Sequence, residues 1–136
     1  MGLIGGPKVA LLVGIAIAWA PGEAAYIPLA HRYPGVPDQL DTATVLARLR
    51  PWLESTRPKV GHHAKFDMHI LENHGIEMAC EHDTMLESYV LNSTATRHDM
   101  DALAAKYLGV TTMKYEDVVG KGVRQITFDQ VDLDTA

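Results

Sequence analysis

The segment KVGHHAKFDMHIL, from Lys59 to Leu71, joins a short run of strand character to a run with helical spacing. Residues 59–62 are the strand candidate. The apolar residues that follow recur three and four positions apart, as on one face of a helix; they are Phe66, Ile70 and Leu71. Gly75 is a typical residue for ending such a helix. The segment therefore predicts a strand followed by a helix over Ala64–Asn73.

A β-hairpin is predicted toward the N-terminus. Lys8–Trp19 is mostly apolar, Pro21-Gly22 is a turn signal, and Ala24–Ala30 is the second strand. Pro28 has no N–H group, which places that strand at a sheet edge or near its own end. The apolar run Val9–Ala20 is shorter than the roughly 20 residues that span a bilayer. We therefore predict a buried strand here instead of a membrane span or signal peptide.

Helices are predicted over much of the remaining chain. Helical spacing begins near Thr42, and Pro51 within it predicts a kink or a break. Residues of the kinds that cap helices begin the later ones: Asp83 or Thr84, then Asp99, which starts a helix ended by Gly109, and Thr127. The element order is β-β-α-β-α-α-α. It predicts an α/β domain over residues 8–136, with residues 1–7 as a glycine-rich leader and with the end of the domain missing.

Composition limits the functions that fit. The chain has 136 residues, enough for one domain, and a formal net charge of -5. This net negative charge argues against tight DNA binding by the chain alone, although a cleft that binds DNA through metal ions would itself be acidic. The single cysteine, Cys80, excludes an internal disulfide and fits a reducing compartment.

Five blocks of the chain resemble the 3'-5' exonuclease (proofreading) domain of bacterial family A DNA polymerases, the DNA polymerase I type. The blocks occur in the right order and at nearly the right spacing. They are AAYIPLAH (24–31), KVGHHAKFDMHIL (59–71), DTMLESYVLN (83–92), RHDMDALAAKYL (97–108) and GKGVRQITF (120–128).

This resemblance implies a ribonuclease-H-like fold, a mixed sheet with flanking helices, here incomplete. It implies a cytoplasmic enzyme that removes mismatched 3' nucleotides from DNA during replication and repair. The implied partners are a single-stranded DNA 3' end and a polymerase domain in the same polypeptide. The implied cofactors are two Mg²⁺ or Mn²⁺ ions held by four carboxylates.

The family's metal ligands lie in three motifs, of which this chain keeps one. The Asp-x-Glu motif is expected before the hairpin, yet no acidic residue precedes Glu23. The Asn-x-x-x-Asp motif falls on His63 and Asp67, with His63 replacing asparagine and Phe66 replacing the usual tyrosine. The third motif would lie beyond Ala136. Asp67 is thus the one predicted catalytic residue and metal ligand, and the chain alone is expected to bind metal weakly and to be inactive.

The resemblance also implies residues that contact nucleic acid. They are His63, Phe66, Asn92, Arg97 and Tyr115. Tyr115 matches a position where an aromatic ring stacks on a base, and Arg97 matches a basic residue that can pair with a phosphate.

Other interpretations remain open. The replaced motif residues favour a degenerate exonuclease domain that guides a strand or has a structural role. A crowd of histidines around Asp67 and Cys80 suggests a zinc or nickel site instead; they are His62, His63, His69, His74 and His82. Without the central Asp-x-Glu strand, the sheet is expected to split, or the apolar hairpin strand to pair elsewhere. We also expect the chain to be marginally stable and to self-associate.

Overall fold

A computed structural model describes residues 2–4, 11–95 and 97–136, with side chains from residue 11 onward. It divides into two compact units, residues 1–51 with 115–136, and residues 52–114. Helices and strands both occur, which confirms the predicted mixed α/β class. No helix in the described ranges has the length and apolar character needed to cross a membrane.

The first unit is built on a three-stranded antiparallel sheet. Its strands, in spatial order, are β1 (Gly2–Ile4), β2 (Leu11–Ala20) and β3 (Glu23–Pro28). The hairpin between β2 and β3 confirms the prediction, and Gly22 has the positive φ (76°) that its turn requires. Pro28 is the last residue of β3, as expected for a residue without an N–H group. Residues 2–4 of the predicted leader thus belong to a strand, whereas residues 8–10 of the predicted first strand lie outside the described residues.

The buried-strand prediction holds for only part of β2. Leu12–Ile15 is buried, but the distal half is mostly exposed, and Trp19 keeps 63% of its surface accessible. The Trp19 indole N–H donates to Glu23 across the turn at 2.5 Å. Apolar residues can be buried at little cost, but they are not always buried, and one end of a hairpin strand can still project beyond the core.

A close approach between β2 and β3 fixes the base of the hairpin. The Tyr26 ring lies over Gly14, where a Cβ atom would come within 2.1 Å of the tyrosine oxygen. His31 Nδ1 lies 2.9 Å from the Val131 carbonyl, so it donates there, and Nε2 accepts from the Tyr26 hydroxyl at 2.7 Å. Burial raises the pKa of Tyr26 to about 12. These contacts connect the hairpin to the C-terminal segment of the same unit.

Helices complete the first unit. Asp41 caps α1 (Thr42–Leu53) by accepting the Thr44 N–H at 2.9 Å. Pro51 does not break α1, because it lies in the last turn with only two helical residues after it. A further helix of this unit, α5 in chain order, covers Tyr115–Val119 near the end of the chain. The helix predicted from Thr127 is wrong: Phe128–Gln130 forms one 3-10 turn, and the Thr127 hydroxyl donates to Asp129 instead of capping.

The second unit contains short parallel strands and most of the helices. Its elements are β4 (Val60–Gly61), α2 (Ala64–Asn73), β5 (His82–Asp83), α3 (Thr84–Asn92) and α4 (Met100–Leu103), followed by a π-helical turn (Ala104–Leu108); α5 is Tyr115–Val119 of the first unit. Ile70 and Leu71 of α2 are among the most buried side chains, as their spacing predicts. Gly109 ends the π-helical turn with φ 64°.

Each of the two units has a sheet of its own. In the described residues, β4 pairs only with β5, in parallel, whereas β2 pairs with β1 and β3. The single mixed sheet expected from the resemblance is therefore not seen in these ranges, where the strands form two separate sheets and residues 2–4, which lie in the stretch expected to lack the central strand, pair with β2. Unpaired strand edges expose N–H and C=O groups, which explains why β2 takes β1 as a neighbour.

Candidate nucleic-acid interface

The junction between β4 and α2 is turned by His63, which has φ 58° and ψ 45°. In the described part of the chain, it is the one residue other than glycine with a positive φ. This conformation costs about 1–2 kcal/mol for a residue with a side chain, so other contacts must hold it. The His63 ring stacks on Phe66, with centroids 6.0 Å apart.

One carboxylate, that of Asp83, holds the starts of two helices. It accepts the N–H groups of His63 and Ala64 at 3.1 and 2.9 Å, where α2 begins. It also accepts the N–H groups of Met85 and Leu86 at 3.0 and 3.4 Å, where α3 begins. Burial acts to raise the pKa of the Asp83 carboxyl, but the four backbone donors outweigh it and the pKa is lowered. Asp83 is thus the predicted cap of α3 and also fixes the His63 turn.

The predicted metal ligand, Asp67, lies in the first turn of α2, one turn after His63. Burial raises the pKa of its carboxyl, the nearby Asp83 carboxylate adds to the rise, and His63 opposes it. Asp67 therefore carries its negative charge at some cost, in a half-buried position beside a second carboxylate.

A two-metal centre needs several carboxylates in one place, and the described residues do not provide them. Among them, no group of three or more His, Cys, Asp or Glu side chains could hold a metal ion. The acidic neighbour of Asp67 is Asp83, whose oxygens are already bonded to four backbone N–H groups. Two dications require more oxygen ligands than this pair can offer. The residues present therefore do not fit the implied pair of cations.

The zinc or nickel hypothesis fails the same test in the described ranges. The histidines are engaged in separate pairs: His62 with Thr84, His69 with Glu72, and His82 with Glu87. Because Thr84 donates its hydroxyl hydrogen to the Gly61 carbonyl, His62 Nδ1 is the donor in its pair. The crowding in sequence therefore does not become a three-ligand cluster.

A cleft of about 620 Å³ lies beside the His63 turn. Its lining includes His62, His63, Tyr89, Arg97, His98 and Asp99. Two of the predicted contact residues, His63 and Arg97, are thus brought together, although 34 positions separate them (97 − 63). Tyr89, which sequence reasoning missed, adds an aromatic ring; an exposed tyrosine on a helix gives no pattern that would have revealed it.

Arg97 offers positive charge to this cleft. Its Nε donates to the Asp99 carboxylate at 2.9 Å, and its side chain keeps 87% of its surface exposed. The two Nη groups carry four further N–H donors, which suit a phosphate. Asp99 also caps α4 by accepting the Ala102 N–H at 2.8 Å, which confirms the predicted cap.

A family model described as 3'-5' exonuclease matches residues 7–131. The chain belongs to this exonuclease family.

The exonuclease family relationship extends to named bacterial proteins. A protein named DNA polymerase I from Pseudomonas aeruginosa is 55% identical over 131 residues, covering 93% of this chain and 14% of that protein. Proteins of the same name from Rhizobium leguminosarum and Synechocystis are each 39% identical, over 92% and 96% of this chain and 14% and 13% of theirs. The chain thus spans about one seventh of the length of these relatives.

The remaining residues that the exonuclease resemblance singled out lie elsewhere. Asn92 ends α3, and its side-chain oxygen accepts from the backbone and hydroxyl of Thr94 at 3.3 Å, which makes it a turn residue. Tyr115 belongs to the first unit, where its ring stacks on Phe128 with centroids 6.3 Å apart.

Proposed function

We propose that this chain is part of the 3'-5' exonuclease domain of a DNA polymerase I, and that residues 52–114 bind the single-stranded 3' end of DNA. The observation that carries the proposal is the cleft in which His63 and Arg97 lie together, at the start of the helix that bears Asp67. The family match and the name of the 55% identical relative support the assignment.

The chemistry of the cleft suits a nucleotide chain. The Arg97 guanidinium provides paired donors for phosphate oxygens. The face of Tyr89 that His98 does not cover and the His63 ring provide surfaces for bases, which stack on aromatic rings without strong sequence preference. The net charge of -5 keeps this binding weak, and a phosphate contact made by Arg97 makes it sensitive to salt.

Hydrolysis in the whole protein is a further part of the proposal. There, a ribonuclease-H-like domain would remove mismatched 3' nucleotides with Mg²⁺ or Mn²⁺, and Asp67 would supply one carboxylate. The 136-residue chain alone binds the strand without cutting it, because its described acidic residues do not form a two-metal centre. The polymerase domain of the same polypeptide is the proposed partner.

Two measurements on the purified chain test this proposal. Fluorescence anisotropy of a labelled oligo(dT) should show weak binding that Arg97→Ala reduces and Arg57→Ala, an exposed arginine outside the cleft, leaves unchanged. Release of labelled 3' nucleotides with Mg²⁺ or Mn²⁺ should be absent in both the chain and its Asp67→Ala variant. If the chain releases nucleotides and Asp67→Ala does not, other acids complete a metal site and the proposed inactivity is wrong.

The second candidate is a degenerate domain that guides a strand or supports a polymerase structurally. It is favoured by His63 and Phe66 at the positions of the family asparagine and tyrosine. The two candidates predict different results for the whole protein that contains this chain: measurable 3'-nucleotide release supports the exonuclease, and its absence supports the degenerate module.

A further inference from the structure

A buried histidine, His98, lies directly after the cleft arginine in sequence. It keeps only 8% of its surface exposed, and its neighbour Ser88 only 6%. The imidazole stacks on the Tyr89 ring with centroids 3.7 Å apart. Both ring nitrogens have partners, because Nδ1 lies 2.7 Å from the Ser88 hydroxyl and Nε2 lies 3.0 Å from the Ser93 carbonyl.

These partners fix which nitrogen carries the proton. The Ser93 carbonyl can only accept, so Nε2 is protonated and donates to it. Nδ1 of the neutral ring then accepts from the Ser88 hydroxyl. The ring therefore joins α3, through Ser88, to the turn that follows α3, through Ser93.

The contacts of Arg97 itself cannot hold it at the cleft. Its ion pair with Asp99 is exposed, with 87% and 40% of the two side chains accessible. Exposed ion pairs contribute about 0–1 kcal/mol. The adjacent residue, His98, by contrast has a ring that is buried and hydrogen-bonded at both nitrogens.

From these contacts we infer that His98 is a positioning residue for Arg97, acting through the Nε2 hydrogen bond to the Ser93 carbonyl. This inference rests on the proposed binding of single-stranded DNA in the cleft. Loss of the hydrogen bond from His98 Nε2 to the Ser93 carbonyl lets the turn after α3 move, and the Arg97 guanidinium is then no longer positioned to contact a phosphate. Loss of the Ser88 bond leaves the turn in place.

Two substitutions of His98 separate its hydrogen bonds. Glutamine places an amide near Nε2 and keeps the donor to Ser93, whereas asparagine places its amide near Nδ1 and keeps only the Ser88 partner. Both remove the ring that stacks on Tyr89, so each is a matched control for the other. Ser88→Ala removes the Nδ1 partner alone and serves as a milder third variant.

The primary readout is the salt dependence of oligo(dT) binding by the full 136-residue chain. One phosphate contact on a single strand contributes about 0.7 to the slope of log K against log salt. We expect His98→Asn to lower the slope by that amount, as Arg97→Ala does, and we expect His98→Gln and Ser88→Ala to keep it. Adding Arg97→Ala to His98→Asn should cause no further loss. Equal loss in the glutamine and asparagine variants, or an additive double variant, overturns the inference.

A second readout does not depend on DNA. The backbone amide resonance of Arg97 should stay close to its parent position in His98→Gln and Ser88→Ala, and should move toward the position typical of unfolded chain in His98→Asn. If the parent chain binds no oligo(dT) but the resonances behave in this way, the proposed function fails and the positioning role stands. An Arg97 resonance unchanged in His98→Asn overturns the positioning role whatever the binding result.

Discussion

Replacement of Asp83 should destabilise the second unit more than loss of an ordinary helix cap. Its carboxylate accepts four backbone N–H groups, two at the start of α2 and two at the start of α3. Removing one N-cap side chain costs about 1 kcal/mol. Asp83→Ala removes such a cap from two helices and releases the left-handed His63 turn, so we expect a loss of about 2–3 kcal/mol. Asp83→Asn keeps one oxygen and should lose about half of that.

Urea denaturation gives the free energy of unfolding needed for this comparison. Trp52 lies in the second unit, and a Trp19→Phe background makes its fluorescence specific to that unit. Asp99→Ala is the matched control, because Asp99 caps one helix of the same unit through one N–H group. Asp99→Ala should lower the free energy of unfolding by about 1 kcal/mol.

The pH dependence provides an independent check. The folded-state pKa of Asp83 is lowered, so its contribution is complete above the unfolded-state pKa, about 3.9, and is lost as pH falls through the lower folded value. The difference between the parent chain and Asp83→Ala should therefore shrink below about pH 4. A cost for Asp83→Ala no larger than that of Asp99→Ala, or a difference that persists in acid, would refute the double-cap reasoning.

Three further outcomes are expected. Asp67→Asn should raise the free energy of unfolding at pH 7, because it removes a charge that burial and the nearby Asp83 carboxylate disfavour; since the folded-state pKa is raised, the gain should vanish as pH falls below the unfolded-state pKa, and equal stability at pH 7 would contradict it. Gly14→Ala should lower the free energy of unfolding, measured by urea denaturation, by about 1–3 kcal/mol, because the new Cβ meets the Tyr26 ring. The loss should be much smaller in a Tyr26→Ala background, and equal losses in both backgrounds would show that the contact is unimportant. The chain should self-associate through the apolar surface of α3, where Val90 is 87% exposed. Val90→Lys should shift the sedimentation distribution toward monomer, and an unchanged distribution would place the contact elsewhere.

The stability predictions for Asp67 and Asp83 have opposite signs although both residues are aspartates near the start of α2. Asp83 has four backbone donors, which stabilise its charge, whereas Asp67 is half-buried beside Asp83, which disfavours its charge.

Local signals in the sequence determined the hairpin, the helix Ala64–Asn73 and the caps at Asp83 and Asp99. Each depends on residues within a few positions of one another, such as the Pro21-Gly22 turn or an aspartate before a helix, and their hydrogen bonds form inside the element itself. The recognition of an exonuclease-like chain likewise came from the order and spacing of blocks in the sequence.

Which distant groups meet depends on the tertiary structure. Asp83 reaches back 20 residues to the His63 N–H, and His98 reaches back 10 to the Ser88 hydroxyl. The β4–β5 pairing and the use of residues 2–4 as a strand also depend on backbone groups far apart in the chain. A residue's type shows that it can donate or accept a hydrogen bond, but its partner is fixed only when packing brings two segments together.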